Sequence, residues 1–134
     1  MLVVDTNILV YLLLSGDRTA EARLLFERDG DWHSEEFVLA EFTNVLATNA
    51  RLRRLTSRQA AKTLVQAQDL MKAGLHRVGH EDVLALALRH EVSAYDARFL
   101  GVAGALGTRL VTEDARLRHA APEQTQSLSE ALGD

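Results

Sequence analysis

The chain has 134 residues, 47% of them hydrophobic and 25% charged, a balance that suits one compact soluble domain around a single core and argues against a second. A net charge of −4 argues against a protein that coats nucleic acid through bulk positive charge. The absence of cysteine excludes disulfides and thiolate metal sites, so any metal must be held by oxygen or imidazole.

Short strand-like pieces alternate with helical periods, the pattern of an α/β domain with a mostly parallel sheet. The first strand is "LVV" (2–4), and its position leads to the expectation of no targeting peptide and a cytoplasmic location. The apolar run Ile8 to Leu14 is far short of the roughly 20 residues of a membrane span and reads as a core segment. "TAEARLLFER" (19–28) is helical by its i, i+3, i+4 apolar spacing, and "DWHS" (31–34) is a weak strand. Two further helices, "EEFVLAEFTNVLATNA" (35–50) and "SRQAAKTLVQAQDLMK" (57–72), are joined by "RLRRLT" and form a helical hairpin rather than a βαβ crossover. A strand at "HRV" (76–78), helices at "EDVLALALRHE" (81–91) and "DARFLGVAGAL" (96–106), and a strand at "RLVT" (109–112) follow. Pro122 then separates the core from a polar C-terminal tail, residues 120–134, in which "TQSL" (125–128) could add a last short strand.

Several chemistries fail on a missing residue. "HEDVLA" from His80 resembles a zinc-protease helix but has Leu84 where the second histidine must stand. His76 and His80 straddle a strand-to-helix transition and read as surface or loop histidines. "GVAGALG" lacks the G-x-G start of a dinucleotide loop and follows a helical segment, so Gly101 and Gly104 read as close packing of a helix on the sheet and Gly107 as its C-terminal cap. Neither a G-x-S-x-G elbow nor a G-K-[ST] loop is present. A phosphoaspartate receiver would need a lysine at the end of a late strand, but the only lysines, Lys62 and Lys72, lie in a helical segment. A haloacid-dehalogenase phosphatase would need an Asp where Asn7 stands.

Carboxylates recur where an α/β sheet builds its site. Asp5 follows the first strand and Asp114 follows the strand at 109–112, so both fall at carboxyl ends of strands, where ligands of open sheets bind. Asp5 also suits a helix N-cap, and Asp96 in "SAYDARF" also suits the first turn of a helix. Glu41 lies on the flank of the apolar arc Val38, Phe42, Leu46, where a carboxylate needs a cation, a hydrogen-bond partner or a raised pKa; an arginine partner at the boundary would also satisfy it. If the four acids meet, their repulsion calls for shared protons or a metal, and an all-oxygen donor set points to Mg²⁺ or Mn²⁺. Carboxylate-held ions of that kind are equipment for phosphodiester hydrolysis. Thr6, Asn7 and Thr112 would orient the acids or an attacking water by hydrogen bonds, or serve as turn and capping residues. Arg51, Arg53, Arg54 and Arg58, at the expected hairpin tip, could grip RNA phosphates or an acidic partner surface, or stand as a solvated turn.

The ordered segments "VVDTN", "FVLAEFTNVL", "SAYDARFLGVAGALG" and "RLVTEDARL" resemble those of the PIN-domain ribonucleases, most nearly the small VapC-type toxins of toxin–antitoxin pairs. The resemblance covers residues 2 to about 119. It implies a three-layer, Rossmann-like parallel sheet flanked by helices, with a projecting helical hairpin. It also implies Mg²⁺- or Mn²⁺-dependent cleavage of RNA, a cognate antitoxin whose segment fills the active-site groove, and a homodimer. By position, Asp5, Glu41 and Asp96 match the family's three acids and Asp114 its more variable fourth, although Glu113 stands beside it; Thr6, Asn7 and Thr112 match the polar neighbours. A non-catalytic scaffold of the same fold, binding RNA or protein, is the alternative.

Overall fold

The computed structural model describes residues 1–133. Five short parallel strands, β1 (Leu2–Val4), β2 (Trp32–Glu35), β3 (Leu75–His76), β4 (Leu110–Val111) and β5 (Thr125–Gln126), form one sheet in the order β3-β2-β1-β4-β5. Helices α1 (Thr6–Leu13) and α2 (Thr19–Arg28) connect β1 to β2; α3 (Phe37–Arg51) and α4 (Ser57–Met71) connect β2 to β3. Helices α5 (His80–His90) and α6 (Ala94–Ala105) lead to β4, and α7 (Ala115–Ala120) leads to β5, after which α8 (Leu128–Ala131) follows. The result is the three-layer α/β arrangement expected from the sequence, a parallel sheet flanked by helices. The strand order reverses between β1 and β4, and a doubly wound sheet opens its binding crevice at that switch, outside the carboxyl ends of the strands.

Local chemistry accounts for most of the boundaries. Val3 and Val4 are fully buried, as befits a central strand covered on both faces. Val38, Phe42 and Leu46, spaced by four, bury one face of α3, which packs antiparallel-hairpin fashion with α4. A capping box between Thr56 and Gln59 starts α4 just after the turn. Helix α6 ends where Gly107 takes φ +68°, a left-handed geometry that frees Thr108 N–H to reach Ala103 O at 3.0 Å. No helix among the described residues is long and apolar enough to cross a membrane.

Several expectations are corrected. Of the other two glycines read as close packing on the sheet, only Gly101 is crowded, and its neighbours are Val78 and Leu86 rather than sheet residues; Gly104 has open space around it. His76 is neither a surface nor a loop histidine: it is half-buried on β3, and its Nε2 lies 2.8 Å from His33 Nδ1. The helix expected from residue 35 starts at Phe37, because Glu35 remains in β2 opposite His76 of β3.

The C-terminal segment departs most from a polar tail. Beyond Pro122, β5 joins the sheet, a second capping box between Ser127 and Glu130 opens α8, and Leu128 and Leu132 enter the main core. The spacing of these two leucines puts them on one face of a single helical turn, against α2. Leu128→Ala is therefore expected to lower the unfolding free energy by about 3 kcal/mol, within the usual span for a fully buried leucine. Urea denaturation measures this, and a loss below about 1 kcal/mol would mean that the segment is not part of the core.

Candidate active site

The carboxyl ends of β1 and β4 open onto a cleft of about 560 Å³ whose lining includes Asp5, Glu41, Asp96 and Asp114. Each acid arrives on a different element. Asp5 ends β1 and caps α1, Glu41 sits one turn into α3, Asp96 lies in the first turn of α6, and Asp114 caps α7. Thr6 and Asn7 line the same cleft, while Thr112 is fully buried behind it. The geometry thus brings together all four predicted acids from segments scattered over most of the chain.

Asp5 does two jobs at once. Its Oδ1 accepts from Ile8 N–H at 3.3 Å, capping α1, and its Oδ2 accepts from Thr112 Oγ1 at 2.5 Å. The Thr112 hydroxyl in turn accepts from Asp114 N–H at 3.1 Å, so one side chain ties the carboxylate after β1 to the backbone after β4. Asp114 Oδ1 accepts from the N–H groups of Arg116 and Leu117 at 2.9 and 3.1 Å. Glu41 has no arginine partner among the described residues; Thr6 Oγ1 donates to its Oε1 at 2.6 Å instead. A hydroxyl leaves the carboxylate its charge, whereas a guanidinium would have neutralised it.

The neighbouring acid Glu113 is turned elsewhere. Its carboxylate pairs with Arg18 and accepts from Leu128 N–H at 2.9 Å, so it anchors the start of α8, and Asp114 is the one that lines the cleft. Arg51, Arg53, Arg54 and Arg58 are exposed around the α3–α4 turn and do not line the cleft. From Glu41 to Arg51 the axis of α3 rises about 15 Å.

Among the described residues no cationic side chain pairs with any of the four acids. Burial first, with the charges of Asp96 and Asp114 adding to it, raises the Asp5 carboxyl from the ordinary 3.8 to about 6 against the opposing bonds from Thr112 and Ile8. Burial and then the charge of Asp114 also raise Asp96. No three His, Asp or Glu side chains among the described residues close into a ready-made metal cage. Mg²⁺ is ordinarily held by one or two carboxylates, with water and substrate phosphate filling its remaining positions. The open, all-oxygen donor set and its uncompensated negative charge fit such an ion.

Sequence reasoning missed the residues on the flank of the cleft. Glu35, read as a helix start, is fully buried at the end of β2, where it accepts from Phe37 N–H at 2.7 Å and pairs with Arg98 Nη1 at 3.1 Å. Phe37 stacks on Tyr95, and both line the cleft. The only signal in the sequence was an aromatic residue immediately before a candidate acid, Tyr95 before Asp96.

The PIN domain family model matches residues 2–122. Ribonuclease VapC3 of Pyrobaculum aerophilum is 29% identical over 124 residues, covering 90% of this chain and 95% of that protein. Among solved structures, the crystal structure of PAE2754 from Pyrobaculum aerophilum superposes with a TM-score of 0.76 over 98% of this chain and 96% of that one. At 21% sequence identity, that likeness speaks for the fold.

The raised pKa of Asp5 makes a thermodynamic prediction. Because the folded state binds this proton more tightly than the unfolded chain, the group's contribution to stability is greatest below about pH 4 and is lost as pH rises towards and through 6. The difference between 3.8 and about 6 corresponds to about 3 kcal/mol at pH 7 and above. Asp5→Asn, uncharged throughout, should therefore gain stability relative to the metal-free wild type as pH rises from about 4 to 7. Paired urea melts across that range measure the gap, and a gap that stays flat would refute the assignment.

Proposed function

The chain belongs to the PIN domain family, and from that premise we propose that it is a ribonuclease, dependent on Mg²⁺ or Mn²⁺, that hydrolyses RNA phosphodiester bonds as the toxin of a toxin–antitoxin pair. The observation that carries this reading is the convergence of Asp5, Glu41, Asp96 and Asp114 on one cleft at the switch point of the sheet. The likeness to a protein named Ribonuclease VapC3 along most of both chains supports it. A cytoplasmic location, a cognate antitoxin and a homodimer belong to the same proposal and rest on the VapC-type resemblance.

In this mechanism Asp5, Glu41, Asp96 and Asp114 would hold the cation, and water would be the nucleophile. The ion, when bound, supplies Lewis acidity to the scissile phosphate and to a water molecule. Asp5 is the fixed point, since Ile8 N–H and Thr112 Oγ1 hold both of its oxygens in place. Thr6 orients Glu41 through its Oε1, and the N–H groups that open α7 orient Asp114. Asp114 rather than Glu113 is the fourth acid, because Glu113 is engaged with Arg18 and α8. Asn7, exposed in the lining of the cleft, would orient a carboxylate or the attacking water by a hydrogen bond. Arg51, Arg53, Arg54 and Arg58 form a separate phosphate contact at the far end of α3.

The direct test is cleavage of end-labelled RNAs by the purified protein with Mg²⁺, Mn²⁺ or EDTA, beside an identically purified Asp96→Asn variant. Cleavage should require the metal and fall by at least about 100-fold in the variant, the scale for loss of a group that acts on the transition state. Equal behaviour of the two proteins across several RNAs and both metals would replace the nuclease with a non-catalytic RNA- or protein-binding scaffold. A second measurement concerns the arginines. Changing Arg51, Arg53, Arg54 and Arg58 to Glu should weaken RNA binding and flatten its salt dependence by about 0.7 in log–log slope for each phosphate no longer neutralised. An unchanged slope would return the cluster to a solvated turn.

A further inference from the structure

We propose that the exposed ring of Tyr95, stacked on Phe37, is a shelf on which a base of single-stranded RNA stacks beside the phosphate held at the acid cleft; this rests on the ribonuclease reading above. The chain is poor in aromatic residues, with 4 Phe, 2 Tyr and 1 Trp. Three of them, Phe37, Tyr95 and Phe99, nevertheless line the one cleft that holds the four acids. Phe99 is buried in the core, but Tyr95 is 60% exposed, which for a large ring forgoes most of the gain from burial.

The ring is exposed yet held in place. The Tyr95 and Phe37 centroids are 5.3 Å apart with planes 17° from parallel, an offset stack. Phe37 is itself fixed from behind, where Glu35 accepts from its N–H at 2.7 Å and from Val78 N–H at 3.3 Å. The buried Glu35 carboxylate is neutralised by Arg98, whose guanidinium lies 5.2 Å from the centre of the Phe37 ring. Tyr95 and Arg98 are three residues apart on α6, so a single helix carries the shelf, its brace and Asp96. A ring set in advance loses little conformational freedom when a ligand covers it.

The neighbourhood selects a nucleobase over an apolar side chain of a protein as the occupant. A phosphate at the acid cleft places its own nucleotide's base within reach of an adjoining aromatic face, and base–aromatic stacking is the usual way single strands are held without sequence readout. The cleft itself is negative, so it offers the substrate no attraction apart from bound cations, and a neutral stacking surface supplies affinity that the acids cannot. Stacking strength grows with the size of the π-face, so purines should be preferred at this position.

The test uses short single-stranded RNAs carrying one 2-aminopurine, titrated in Ca²⁺ with wild type, Tyr95→Leu, Tyr95→Phe and Tyr95→Trp, together with Mn²⁺-dependent cleavage kinetics of the same proteins. Wild type should quench 2-aminopurine at one position of the RNA. Tyr95→Leu should abolish the quench and weaken binding about tenfold, the equivalent of about 1.4 kcal/mol, with the loss appearing in KM rather than kcat. Tyr95→Phe and Tyr95→Trp should keep both the quench and the affinity, and thermal melts should show all four proteins folded. Unchanged binding by Tyr95→Leu in a protein that still cleaves RNA would overturn the shelf, leave the nuclease standing, and give the ring to a protein partner. A Tyr95→Phe variant as weak as Tyr95→Leu would overturn stacking in favour of the hydroxyl. Quench and Tyr95-dependence without any cleavage would keep the shelf and remove the nuclease, and the absence of RNA binding altogether would remove both.

Discussion

The carboxylate of Asp5 is the constraint on which the rest of the site depends. It is buried at the end of the central strand, where an isolated charge is costly, and its two oxygens are satisfied by different parts of the fold. One oxygen starts α1 and the other holds Thr112 of the segment after β4, so a single side chain registers a helix and two strands at the switch point. Two neutral donors are enough to hold the group but not to hold its pKa down, since burial wins and raises it to about 6. The fold therefore keeps a carboxylate that is geometrically fixed and electrically unmatched.

The other acids repeat that economy of neutral partners. Glu41 is met by the hydroxyl of Thr6 and Asp114 by the first backbone N–H groups of α7, while the charged partners available nearby go elsewhere. Arg18 pairs with Glu113 and Arg98 with Glu35. The two ion pairs stabilise the walls, anchoring α8 and bracing the strand end beneath Phe37, and among the described residues the acids of the cleft have no guanidinium partner. Had Arg18 paired with Asp114 instead, the negative potential that suits a hard cation would have been quenched by the protein itself.

Much of this was legible from residues alone, and the exceptions have physical causes. Asp5 and Asp114 could be read because each follows a β-branched strand end, where the switch-point rule gathers ligands, whereas Glu41 and Asp96, each with an ordinary local reading, joined them through the resemblance of their segments to the family's. Glu35 could not be read, because a Glu-Glu pair before an apolar run looks like a helix start; only the pairing of Glu35 with His76 of β3 keeps it in a strand and buries it. Tyr95 and Phe37 are far apart in the chain, and no local pattern announces a tertiary stack. The last helix was hidden for a related reason: α8 has four residues, too short for a period to emerge from polar surroundings, and it exists because its capping box and two buried leucines find α2.

An acidic cleft on a protein of net charge −4 is a poor attractor for RNA, and that sets how affinity must be divided on the reading proposed here. At physiological ionic strength the Debye length is about 8 Å, so arginines about 15 Å away along α3 are largely screened from a phosphate at the cleft. They can act only on a different phosphate of the same strand. Close to the acids, attraction must come from bound cations and from uncharged contact, and the exposed face of Tyr95 is an uncharged aromatic surface there. Charge, metal and stacking would then act at separate points along one strand. Such a division favours a flexible single strand over a rigid duplex, whose bases are already stacked on one another and cannot reach an aromatic face at the cleft.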